Sequence, residues 1–195
     1  MHISTLNSIA SNANAIIRFA FGESSVGSIL VAKSGQGVCA ILLGDDRLDL
    51  AQELRRRFPQ SPLVEGPEDL QRHVAEVIAF VDTPAKGLDL PLDLRGTGFQ
   101  RRVWQALREI PMGETASYTE VAELIGSPKS ARPVAQACAA NPVALVVPCH
   151  RVVRNDGSLS GYRWGVARKQ ALLEREAAAS TTALRGRGGY HGVPL

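Results

Sequence analysis

In the first half of the chain, apolar residues come in short runs broken by small and polar turn residues. Ile16–Phe21, Ser28–Ala32 and Val38–Leu43 have strand length, and Ser34–Gly37 supplies a glycine-containing turn, so two antiparallel hairpins are predicted. The spacing then changes. Asp49–Phe58 sets Leu50, Leu54 and Phe58 one turn apart and stops at Pro59. Leu70–Val81 carries Val74, Val77, Ile78 and Val81 on one side. Both are predicted helices. Asp45 and Asp46 read as solvated loop residues, and Leu88–Leu94 as an extended segment.

Beyond Gly96 the pattern is mainly helical. Thr97 is a candidate N-cap for a helix to Ile110, with Phe99, Val103, Trp104 and Leu107 at helical intervals before Pro111. Tyr118–Ile125 reads as a short helix closed by Gly126. After the Ser127-Pro128-Lys129 turn, Ser130 is expected to cap Ala131–Ala140, with Pro133 in the first turn, where its missing N–H costs little. Two short helices joined by such a turn outline a helix-turn-helix. Val143–Val147 reads as a short buried apolar strand. Arg151–Val153 and Leu159 flank an Asn155-Asp156-Gly157 turn as a wing-like hairpin. Val166–Ala178 is the last amphipathic helix. The expected division is a flexible leader 1–14, an α+β domain 15–95, a mainly helical domain 96–178 and a disordered tail 179–195. No internal repeat is evident.

Composition narrows the function classes. Hydrophobic residues make up 45% of the 195 positions and charged residues 21%, as in ordinary globular domains, and the net charge of +3 permits a nucleic-acid partner without demanding one. Cys39, Cys138 and Cys149 are odd in number, far apart and in no metal-ligand spacing, and His2, His73, His150 and His191 supply no zinc set. A reduced, cytoplasmic setting without disulfides or metal is expected. No run approaches the length of a membrane span, so no membrane association is expected.

The candidate chemistry lies in Pro148-Cys149-His150-Arg151. A thiol is mostly protonated near neutrality and needs a base or a positive field to act as a nucleophile. Pro148 breaks strand alternation, so a tight turn could bring imidazole and sulfur together, directly or through one water. The same dipeptide also fits a buried structural cysteine beside a core histidine. Glu176 lies one turn beyond Leu172, on the apolar edge of the last helix, where a carboxylate is costly without a partner. Paired with His150 it would complete a relay of nucleophile, base and orienter, with the sulfur made anionic by the imidazole. As a helix-end carboxylate it would simply be solvated. The helix from Ala131 is rich in alanine, with Arg132 and Gln136 its long polar groups. Such a face reads base edges poorly but approaches a narrow groove closely, and Arg132 could enter the base stack beside an extruded nucleotide. Cys138, four residues after Val134, is expected to face the core.

Taken together, FQRRVWQALREIPMGETASYTEVAELIGSPKSARPVAQACAANP, VVPCHRVV and GSLSGYRWGVARKQALLERE resemble the catalytic domain of the O6-alkylguanine-DNA alkyltransferases. VGSILVAKSGQGVCAILLGDD and LPLDLRGTGFQ extend the likeness upstream, so it covers roughly Ile16 to Ala178. It is closest in detail to the alkyltransferase half of bacterial adaptive-response regulators, without the cysteine-rich zinc module. The resemblance implies a ribonuclease H-like α+β domain followed by a winged helix-turn-helix-like catalytic domain. It implies Cys149 as alkyl acceptor, His150 as base through a water, Glu176 as orienter, Asn141 as support of the cysteine turn, and Tyr118 against the target phosphate and purine N3. Arg132 would be the finger replacing the flipped nucleotide, with Ser130, Ala131 and Gln136 beside it on the DNA. Tyr162, Val152, Ser160, Arg163 and Ala144 would line the base pocket. The implied partner is double-stranded DNA carrying O6-alkylguanine, bound through its minor groove by a monomer with no cofactor. Pro133 and Ala144 depart from common family residues. The competing readings are a DNA-binding protein that recognises damage without transfer and a thiol hydrolase.

Overall fold

The computed structural model describes residues 15–66, 68–159 and 161–187, without the side chains of residues 68, 69 and 182–187. The expected leader, the last eight residues of the expected tail and Ser160 lie outside them. Among the described residues the architecture is mixed α/β, with a small sheet and six α-helices, and the chain divides into two compact units. The first comprises residues up to Ile78, Asp89–Arg95 and Pro142–Ala144; the second comprises Ala79–Leu88, Gly96–Asn141 and Leu145 onward.

In the first unit, β1 (Ile17–Ser24), β2 (Gly27–Lys33) and β3 (Val38–Gly44) form the two expected antiparallel hairpins. β2 and β3 are buried almost throughout, as their unbroken apolar runs require. β4 (Leu63–Glu65) joins parallel to β1, giving the order β3-β2-β1-β4. Its three residues, none buried, carry no hydrophobic pattern, so the sequence pattern passes over it. Gly37 leaves no room for a side chain: a Cβ there would lie 2.5 Å from the Pro91 carbonyl oxygen. That close approach lets Val38 exchange backbone hydrogen bonds with the extended 89–95 segment, its N–H donating to Pro91 O and its carbonyl accepting from Asp93 N–H.

The first helix, α1 (Arg47–Arg57), begins two residues before the predicted start. Asp46 is the reason. Its carboxylate accepts from the Leu48 and Asp49 N–H groups at 2.7 and 3.1 Å, so it is an N-cap rather than a free loop residue. α2 (Glu68–Asp82) follows and brackets the predicted Leu70–Val81.

The second unit is built on α3 (Gly98–Glu109), α4 (Tyr118–Leu124), α5 (Ala131–Ala139) and α6 (Val166–Arg187). Thr97 caps α3 in a reciprocal box with Gln100, and Ser117 caps α4 with Glu120. Trp104 buries its ring and donates its indole N–H to the Ala137 carbonyl at 2.9 Å, pinning α3 to α5.

Four further expectations need correction. Ser130 makes no side-chain cap; at φ −104°, ψ 23° its backbone is far from the extended conformation of a capping residue. Val143–Val147 is buried but is not a strand, because it turns through Leu145 at φ 72°, a left-handed conformation, and keeps only a single bridge at Val143. Of the wing-like hairpin, the Asn155-Asp156-Gly157 turn is present, but among the described residues no strands pair across it. β6 (Val152–Val153) instead pairs in parallel with β5 (Ala116–Ser117), and the turn after it is closed by Arg154 N–H donating to the Ser158 carbonyl. Finally, α6 runs on to Arg187, so residues 179–187 of the expected disordered tail are helical. Ser180 helps hold that extension, donating to the Met112 carbonyl at 2.9 Å. None of the helices among the described residues is long and apolar enough to cross a membrane.

The two caps give contrasting expectations. Asp46→Ala should lower unfolding free energy by about 1 kcal/mol, whereas Ser130→Ala should change it by less than about 0.5 kcal/mol. Urea denaturation of both variants measures the difference.

Candidate active site

Asn141 ends the loop leaving α5, and the chain returns to it through a one-turn 3-10 helix, Cys149–Arg151. The Asn141 amide reads both sides of that turn. It donates to the Val147 carbonyl at 2.8 Å and to Cys149 Sγ at 3.2 Å. Asn141 is fully buried and Cys149 is 5% exposed, so the sulfur sits in a wall rather than on the surface.

The neighbouring pair is buried more deeply. His150 Nε2 lies 2.8 Å from Glu176 Oε1. Arg151 donates from Nε to Oε2 and from Nη2 to Oε1 of the same carboxylate, both at 2.9 Å, and from Nη1 to the Ile110 carbonyl. The Gly113 N–H approaches Oε2 at 3.5 Å. Burial pushes Glu176 up, but the hydrogen bonds from His150 and Arg151 and their charges outweigh it and hold the carboxyl at about 2. The ionised carboxylate can only accept, so His150 Nε2 must donate to it. Burial in turn lowers His150 against the pull of Glu176, keeping the ring neutral near pH 7. His150 Nδ1 is then a bare acceptor, and among the described residues it has no partner.

Sequence reasoning expected a sulfur already anionic. The structure corrects this: burial pushes the Cys149 thiol up to about 11, against smaller downward pulls from the Asn141 hydrogen bond and the Lys169 charge. At neutral pH the group is overwhelmingly the thiol. For this sulfur to act as a nucleophile, its proton would have to leave in the same event. Cys149 is nonetheless the least raised of the three thiols; burial takes Cys39 to about 12 and Cys138 higher still. Cys138 faces the core, as expected.

Sequence reasoning gave no role to two charged residues at the site. Arg151 adjoins the Cys-His pair. Lys169 is 1% exposed and donates to the Val152 carbonyl. A signal existed: Lys169, Leu172 and Glu176 are three and four residues apart, one buried face of α6.

A family model described as 6-O-methylguanine DNA methyltransferase, DNA binding domain, matches residues 98–178. The chain is 43% identical over 133 residues to the inducible methylated-DNA--protein-cysteine methyltransferase of Bacillus subtilis, covering 68% of this chain and 74% of that one. The chain belongs to the methylated-DNA--protein-cysteine methyltransferase family. It is also 56% identical over 166 residues to the Escherichia coli bifunctional transcriptional activator/DNA repair enzyme Ada, covering 84% of this chain but 46% of that protein, so it spans just under half of Ada's length. Among solved structures, Mycobacterium tuberculosis OGT in complex with DNA matches with a TM-score of 0.68 and 36% identity, over 84% of this chain and 93% of that one.

The other residues implied by resemblance to the methyltransferases fall into separate places. Tyr118, Ala131 and Arg132 line an open groove of about 490 Å³ with Thr119, Ala135 and Arg154. Arg132 and Gln136 are exposed, but Gln136 is not among the lining residues, and Arg154 is an unforeseen cation there. Tyr162 stacks edge-to-face on Trp164 at 5.1 Å, and its buried hydroxyl has no partner among the described residues. Arg163 is exposed and donates to the Ala139 carbonyl at 3.1 Å, tying its loop to the end of α5. The Val152 carbonyl already accepts from Lys169, leaving one lone pair. Ala144 belongs to the first unit, where its N–H donates to Ile41 O at 3.0 Å.

The buried charges set the pH dependence of stability. His150, lowered from its ordinary 6.5, gives stability that is full above pH 6.5 and is lost as pH falls below it. Glu176, held at about 2 against 4.5, adds a second loss between those values. Cys149, raised from 9.0 to about 11, gives a loss above pH 9.0. Denaturant midpoints should therefore plateau between pH 6.5 and 9.0, and His150→Gln should flatten the fall just below 6.5. Glu176→Ala, which strands buried Arg151 and His150, should lose roughly 3–5 kcal/mol in the same measurement.

Proposed function

We propose that this protein repairs alkylated DNA by transferring an alkyl group from O6 of guanine, and from O4 of thymine, to Cys149. The observation carrying this reading is a buried thiol, oriented by the Asn141 amide, in the same turn as a neutral histidine whose outer nitrogen is locked to an ionised glutamate. Membership of the methyltransferase family supports it, and so do the printed names of the relatives: a DNA repair enzyme in Escherichia coli and OGT bound to DNA in Mycobacterium tuberculosis.

The proposed reaction needs no metal or cofactor. Double-stranded DNA binds through its minor groove, and the damaged nucleotide is flipped out, which costs less for a poorly paired base. Arg132 takes its place in the stack, beside the small face of Ser130, Ala131 and Ala135, with Gln136 toward the backbone. Tyr118 crowds the target phosphate and donates to purine N3. Tyr162, Arg163 and Val152 are the proposed pocket residues, and donors there stabilise the charge developing on the departing base. His150 Nδ1 takes the Cys149 proton through a water. The sulfur attacks the alkyl carbon in line, an S–C bond forms, and the C–O6 bond breaks with its electron pair going to guanine, which ends protonated. The thioether has no leaving group, so each molecule acts once. The finer architecture proposed is a ribonuclease H-like first unit and a winged helix-turn-helix-like second one, in a protein acting as a monomer.

Incubation with duplex DNA labelled on the O6-alkyl group tests this. One label per protein on Cys149 is expected, and Cys149→Ala should abolish transfer while binding the same DNA with little change. Binding without label transfer by the wild-type protein would favour a damage-recognition protein instead. Arg132→Ala should slow transfer from duplex DNA at least tenfold while leaving reaction with the free alkylated base unchanged. Equal losses in both would remove the finger role.

A further inference from the structure

Arg151 makes three hydrogen bonds at the site, and the reaction just proposed gives it no task. Its guanidinium grips both oxygens of Glu176 and also holds the Ile110 carbonyl at the end of α3. Glu176 therefore receives His150 and Arg151 on Oε1, and Arg151 and Gly113 on Oε2. A carboxylate so filled has no site left for a proton, and it can meet His150 in one way only, as acceptor. We propose that Arg151 is a positioning residue of the transfer reaction, which fixes His150 in the form with hydrogen on Nε2 and a bare Nδ1, the form that can take the proton of Cys149. This rests on the reading of Cys149 as alkyl acceptor and His150 as its base.

The charge of Arg151 acts in the same sense as its geometry. A histidine paired with a lone buried carboxylate gains basicity and tends to hold two protons. A doubly protonated ring has two donors and no lone pair, so it cannot serve as base. Arg151 opposes this, its positive charge disfavouring imidazolium. The other charged groups around the ring are Glu176, which favours imidazolium, and Lys169, which disfavours it, both from α6. α3 contributes Arg108 and Glu109 to the cavity that Arg151 also lines, and the buried Tyr162 phenol feels the charges of Cys149 and Glu176. Lysine at position 151 would keep a charge but could not span both oxygens with a planar fork.

The test is ¹⁵N NMR of the histidine ring across pH in the wild-type protein, Arg151→Lys and Arg151→Met, together with single-turnover transfer rates over the same range. His150→Gln assigns the resonance. In the wild type, His150 should carry hydrogen on Nε2 alone at neutral pH. In Arg151→Met its titration should move to higher pH and the acid limb of the transfer rate should move with it; Arg151→Lys should show a smaller move in the same direction. A wild-type ring with hydrogen on Nδ1, or a His150 titration unmoved in the folded variants, would overturn the proposal. If Arg151→Met does not fold, the displacement in Arg151→Lys decides. The NMR readout needs no substrate. Failure of alkyl transfer itself would therefore count against the function and leave the role of Arg151 to be read from the spectra.

Discussion

A carboxylate 2% exposed cannot stay ionised unless several donors replace the water it has lost, and in the second unit Glu176 is such a group. Much of the local construction answers that one demand. Arg151 comes from the turn after Pro148, His150 from the same turn, and the Gly113 N–H from the loop after α3. These donors tie the cysteine turn and the loop before β5 to α6. The continuation of α6 follows the same arrangement, since Ser180 closes on Met112 just beside Gly113. What looks like an acid–base relay is thus also the fastening that sets the backbone of the turn holding Cys149.

The elements legible in the sequence were those whose local chemistry agrees with their tertiary surroundings. Thr97 stood out as an N-cap, which the structure closes into a box with Gln100, and the periodic apolar face of α3 carried Trp104 and Leu107, both core. β2 and β3 were readable because each is an uninterrupted apolar run. Within the site, Cys149 and His150 were visible as a dipeptide, and Glu176 by its place one turn past Leu172. The fault lines were also physical. Val143–Val147 has the composition of a strand, but backbone conformation at Leu145 is decided by packing that no periodicity encodes. Ser130 occupies a capping position in sequence with the wrong dihedrals to cap.

Buried charge was the hardest feature to anticipate. Arg151 and Lys169 would ordinarily belong at the surface, and burial becomes affordable only with partners supplied from distant parts of the chain: Glu176 and Ile110 for one, Val152 for the other. The same limit applies to the thiol. A cysteine beside a histidine suggests activation, yet the desolvation that raises Cys149 depends on a surrounding wall that the dipeptide does not reveal.

That raised thiol bears on survival between encounters. For the single-use sulfur proposed above, a permanently reactive thiolate would be a liability. Peroxides and soluble electrophiles attack thiolates far faster than thiols, so a sulfur kept in its hydrogen-bearing form ignores them. On that proposal, readiness comes from the right carbon being held in line beside it, and the sulfur is not spent on the wrong target.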